Sequence, residues 1–208
     1  MCDKPAPEPQ SFHSRGFGYV AEIFPPLSRQ NSLTRPIVHV YAVAYPGRRW
    51  DVVARLVASA ILPHEAFPAE AVVSQAGHLV TLDDYYQSGQ ANAVTLVDSA
   101  GSPIGAYALT ELLLGEEIAA LERSDCGIHW RDGASYFFLL DAASRFYIAL
   151  SGGLVLEFNL QNGTFRRGEA SAFPELLHVM EQPFADEQVA PWATSLRFSS
   201  ITDGVRGR

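Results

Sequence analysis

The most constraining feature of this chain is its punctuation. From Gly16 onward, short runs rich in Val, Ile, Leu, Phe and Tyr are broken again and again by Gly, Pro, Asn and Asp, the pattern of antiparallel strands joined by tight turns. Such spacing leaves little room for long helices. The expected fold class is therefore mainly β: antiparallel meanders resembling an incomplete β-propeller or a sandwich, with two short α-helices. Strands are expected over 17–24, 37–44, 50–59, 70–74, 78–83, 93–98, 104–109, 135–140, 145–150 and 153–160. Alternation in 37–44 puts Val38, Val40, Ala42 and Ala44 on one face and Ile37, His39, Tyr41 and Val43 on the other, both apolar enough to be at least partly covered.

Gly77, Gly101, Gly153 and Gly163 each separate apolar runs, where a positive φ costs glycine little. Asn162-Gly163 is the strongest hairpin signal and suits a type I′ turn. One helix is expected from Thr110 to Leu121, interrupted at Gly115 and restarted with Glu116 and Glu117 in its first turn; a second is expected from Pro174 through Met180. Pro191 to Ile201 reads as an edge strand. Strand, turn and strand recur around 70–98, 93–109 and 135–167, a blade-like repetition with too few units to close a ring, since propellers typically have about four or more blades. The domain reading is a flexible Pro-rich leader over 1–15, a single β-rich domain over 16–201 and a loose tail over 202–208.

The chain has 208 residues, 48% of them hydrophobic and 18% charged, enough to bury roughly 70% of its unfolded surface in one core. Its formal net charge is -8, with 15 Lys+Arg against 23 Asp+Glu, so nucleic acid is not an expected partner. Arg48-Arg49 and Arg166-Arg167 follow turns and read as solvated tips or as holders of a carboxylate in a partner. There is no glycine-rich phosphate loop and no cofactor fingerprint. The two cysteines, Cys2 and Cys126, are expected to stay unpaired because Cys2 lies in the leader. Cys2 is a lipidation candidate if Met1 replaces a removed signal peptide, which would tether the globule to a membrane through a Pro-rich spacer. Sheet edges offer a route to self-association.

The run Tyr19 to Pro26 with Ser28-Arg29-Gln30-Asn31 resembles the opening of a group of uncharacterised, often exported bacterial proteins. The similarity continues through Tyr41 to Gly47 with Trp50, Glu70 to Ser74, Gly77 to Asp83, Asn92 to Val94, Tyr107 to Leu112, His129-Trp130, Arg145 to Ile148 and Gly153 to Phe158. This resemblance covers about residues 16–168 and implies a β-rich, propeller-like domain. It brings no catalytic residues. It favours the cell envelope or periplasm over the cytoplasm as the location.

Three groups of residues are candidates for chemistry. Ser124 to Trp130 gathers a thiol, a carboxylate and an imidazole, read either as a catalytic loop or as a loop capped by Asp125 with Trp130 anchored in the core. Glu65, Glu70, Asp83 and Asp84 would meet if 70–74 pairs with 78–83, as a weak oxygen-ligand site or as turn caps. Tyr85 and Tyr86 in a polar loop read as a recognition surface or as one ring packed inward. The six histidines show no zinc spacing. The leading expectation is a noncatalytic binding or structural module using Tyr85, Tyr86, His129 and Trp130. The alternative is a hydrolase or metal-dependent enzyme using Asp83, Asp84 and His129 across adjacent strands. An immunity or assembly protein using its acidic surface against a basic partner is a third class.

Overall fold

The computed structural model describes residues 6–14, 18–26, 35–44, 53–65, 67–132, 134–138, 144–150 and 152–174. The chain divides into two compact units, Met1–Phe173 and Pro174–Arg208, and every element named below lies in the first.

Two four-stranded antiparallel sheets come first, each paired in sequence order. One holds β1 (Gln10–His13), β2 (Tyr19–Phe24), β3 (Ile37–Ala44) and β4 (Val53–Ile61); the next holds β5 (Pro68–Val73), β6 (Leu79–Asp84), β7 (Val94–Val97) and β8 (Pro103–Tyr107). Helices α1 (Leu109–Leu112) and α2 (Gly115–Ala119) follow, then a small hairpin of β9 (Arg123–Ser124) and β10 (Gly127–Ile128). A third four-stranded meander closes the unit: β11 (Ser135–Phe138), β12 (Arg145–Ala149), β13 (Leu154–Asn159) and β14 (Phe165–Glu169). The protein is thus mainly β and antiparallel, with short helices and, among the described residues, no closed barrel.

Two apolar clusters stack these sheets. Val38, Val40, Ile23 and Ala60 of the first sheet meet Val73, Leu79 and Val97 of the second. On the other side of the second sheet, Val80, Leu82, Val94 and Leu96 meet Leu109, Leu112 and Ile118 of the helices and Phe146, Ile148, Leu156 and Phe158 of the third sheet. The second sheet is covered on both faces, which is why β6 and β7 are buried at every position.

The turns obey a common rule. In three hairpins the first residue accepts from a glycine N–H three positions on: Gly77 to Ser74, Gly101 to Asp98, Gly153 to Leu150. Each of these glycines has a positive φ; at Gly77 and Gly101 that is the geometry of a type I turn followed by a left-handed residue. The Asn162-Gly163 turn differs from the expected type I′. Among the described residues only Asp83 and Ser144 combine a side chain with positive φ, so Asn162 is not left-handed. Instead its Oδ1 accepts the Thr164 N–H at 3.0 Å, and Gly163 N–H donates to the Asn159 carbonyl at 2.8 Å. Gly163 has φ +73, and a Cβ there would overlap the Ile104 carbonyl.

Three further expectations change. Residues 10–13, placed in the leader, form an edge strand paired with β2. The units expected around 70–98 and 93–109 are one four-stranded sheet, and the repeat is four strands long. The helical segment breaks at Leu113 and Leu114, both extended, and Gly115 opens the second piece. Each helix is capped from within: Glu111 accepts the Ala108 N–H at 2.7 Å and Glu117 the Leu114 N–H at 2.6 Å. Most of the segment expected as a helix through Met180, the strand at 191–201, Arg48-Arg49 and Cys2 lie outside the described residues.

Candidate functional site

Asp83 is the next-to-last residue of a fully buried strand and must find donors, because an ionised carboxylate away from water is costly without them. Its backbone turns left-handed, φ 55, a conformation Asp tolerates better than most residues. The alternation of β6 breaks at that point. Three donors converge on the side chain. Gly89 N–H donates to Oδ1 at 2.7 Å, the Trp130 indole N–H lies 2.8 and 3.1 Å from the two oxygens, and Arg131 Nε donates to Oδ2 at 2.6 Å. Arg131 Nη1 then reaches Glu70 Oε2 at 2.6 Å. One guanidinium thus bridges two carboxylates.

This network pins the β9–β10 hairpin and the loop after it against the second sheet. The approach is close: Gly127 has φ +123, and a Cβ there would overlap the Ser88 backbone. Ser88 and Gly127 form an isolated bridge, with Ser88 N–H donating to the Cys126 carbonyl and Ile128 N–H to the Ser88 carbonyl, each at 3.0 Å. Only glycine permits this meeting of backbones.

The result is a cleft of about 480 Å³ whose lining includes Glu70, Asp83, Ser88, Ser124, His129 and Asp132. Its lining carries three carboxylates, on Glu70, Asp83 and Asp132, against the single guanidinium of Arg131. On the rim, Ser124 Oγ lies 2.9 Å from His129 Nε2 and accepts the Cys126 N–H at 3.2 Å. His129 Nδ1 lies 3.5 Å from Asp132 Oδ2, with side chains 40% and 72% exposed.

The residues proposed from sequence separate on this geometry. Asp83, His129 and Trp130 line the cleft together; Asp84 and the two tyrosines do not. Asp84 Oδ2 accepts from the Asn92 amide at 3.0 Å while Oδ1 has no partner, and burial pushes its carboxyl above the usual range. Trp130 is 3% exposed, the anchored reading of that loop. The loop is capped by the Ser124 hydroxyl. Tyr85 packs edge-on against Phe67 at 6.5 Å and against Tyr86 at 5.1 Å, and both tyrosines are half-buried. Strands 70–74 and 78–83 do pair, yet no metal-binding cluster forms among the described residues.

Cys126, on the cleft wall, is disulfide-bonded, which overturns the expectation of two unpaired thiols. That expectation rested on a loose leader, whereas β1 docks the chain from Gln10 onward. The sequence contains one other cysteine, Cys2. Arg131, Ser124 and Asp132 were not singled out from sequence. Arg131 pairs across 48 and 61 positions, a separation that leaves no local trace.

Comparison with protein-family models, with curated proteins and with solved structures finds no match.

Proposed function

We propose that the protein is a binding module whose working surface is the cleft between Glu70 and the β9–β10 hairpin, and that it receives a cationic group of a partner. The observation that carries this is the charge imbalance. Arg131 is already shared between Glu70 and Asp83, so Asp132 and the outer side of Glu70 present negative charge to an entering amine or guanidinium. Three consecutive meanders, together with the family resemblance, support a propeller-like reading in which ligands enter at the loops. The test is a titration of ¹⁵N-labelled protein with spermidine and with arginine amide. Saturable shifts at Ser88 and His129, weakened by added salt and by Asp132→Asn, are expected. Absence of saturation, or indifference to Asp132→Asn, would refute it.

Tethering through Cys2 enters this reading conditionally. A lipid thioether and a disulfide use the same sulfur, so a Cys2 bonded to Cys126 cannot carry a lipid. Intact mass under non-reducing conditions separates the two.

A hydrolytic reading is favoured by one observation, the order hydroxyl, imidazole, carboxylate across Ser124, His129 and Asp132. It replaces the trio of Asp83, Asp84 and His129, because Asp83 is held by three donors and Asp84 lies elsewhere. In such a site Ser124 Oγ would attack an acyl carbon while His129 Nε2 took its proton, and the imidazolium would return that proton to the leaving group as its bond to the acyl carbon broke. Water around the exposed imidazole weakens that activation. Labelling of Ser124 by a fluorophosphonate, lost in His129→Ala, would support it; an unlabelled Ser124 would end it.

A further inference from the structure

A second cavity lies on the third sheet, and its charge is opposite in sign. It measures about 360 Å³ and is lined by Arg145, Glu157, Asn159, Thr164, Phe165 and Arg166. Glu157 sits in an apolar strand, 4% exposed. It is fully engaged: Arg166 Nε and Nη2 donate to its two oxygens at 2.8 Å each, and the Tyr147 hydroxyl donates to Oε2 at 2.7 Å. Arg145 Nε stands 3.8 Å from Oε1, beyond hydrogen-bonding distance. Among the described residues two guanidiniums therefore face one carboxylate that is already satisfied, and those lining residues carry one positive charge in excess. In a chain of net charge -8, that is a local inversion.

We propose that this cavity binds the carboxylate end of a small organic acid, with Arg145 as the principal contact. A guanidinium presents paired donors in a plane that matches a carboxylate. A single negative charge cancels the surplus, whereas a doubly charged phosphate overshoots it. Asn159 supplies a neutral amide. Register explains the assembly. Arg145 lies opposite Asn159 across β12 and β13, and Glu157 opposite Arg166 across β13 and β14, so three strands deliver the site on one face.

The experiment is an amide-shift titration at constant ionic strength with sodium butyrate, sodium acetate and inorganic phosphate. Butyrate and acetate should each give saturable shifts at Arg145, Asn159 and Thr164. Arg145→Met should raise the butyrate Kd about tenfold or more with an unchanged melting temperature, and Arg145→Lys should fall between. Should Arg145→Met fold poorly, the Lys variant still carries the comparison. Saturation by phosphate alone would overturn the carboxylate assignment. No saturable shift with any anion, or equal affinity in all three proteins, would overturn the site.

Discussion

Asp83 and Glu157 are both buried carboxylates held by arginine, and they leave their surroundings with opposite charge. At Asp83 one guanidinium is divided between two carboxylates; at Glu157 two guanidiniums gather round one. Burial requires each carboxylate to be paired but does not fix the ratio. The surplus left after pairing is what a ligand meets. The contrast also predicts unequal structural roles, since Arg131 is 16% exposed and Arg166 58%.

The sharpest way to break the comparison is to remove each arginine. Arg131→Met strands Asp83 in the core and releases the hairpin, and should cost about 3 to 4 kcal/mol in urea unfolding. A cost close to that of Arg166→Met would show that the two sites are structurally equivalent. Acid is the next lever. His64 is fully buried with Nδ1 unpartnered, and burial lowers its pKa from 6.5 to about 4. The folded state therefore holds it neutral. The stability this confers is full above pH 6.5 and falls away as pH drops toward 4, by up to about 3 kcal/mol. His64→Gln should flatten that limb of a stability-versus-pH curve.

What remains in the variant reports on Glu157. Burial alone would raise that carboxyl; the Arg166 fork, the Tyr147 hydroxyl and the charges of Arg166 and Arg145 together hold it below the usual range. Its contribution is present above the ordinary Glu pKa and disappears as pH falls through the lowered one. Residual acid sensitivity in His64→Gln should shrink on adding Glu157→Gln, leaving the smaller part due to Glu117, His13 and His78. The smallest effect is expected from Arg166→Met, about 1 kcal/mol after allowing for its exposure, because Tyr147 and Arg145 still attend Glu157.

Much of the fold was legible because strands and turns are local. Ile37–Ala44 matches the expected strand at both ends, and all four glycines expected at positive φ adopt it. β1 escaped because Gln10-Ser11-Phe12-His13 holds one large apolar residue, and its pairing is dictated by β2. The Glu157 site was half legible: a charge inside Leu154–Asn159 demands a partner, but a two-residue Asn162-Gly163 loop would set Gly168 opposite it, whereas the observed register sets Arg166 there. The cleft was not legible. Asp83 meets Trp130 across 47 positions, and which arginine completes such a site depends on how the sheets stack.

The doubly covered second sheet decides how this chain can be cut. A fragment beginning at Pro68 would keep both later meanders yet bare Val73, Leu79 and Val97, which the first sheet now conceals. It would emerge as an adhesive remnant, prone to clump in solution. The stretch before Pro68 is therefore an integral wall and not a detachable porch, and shortened versions for crystallography or display should keep the first sheet, together with Cys2, the one other cysteine besides disulfide-bonded Cys126.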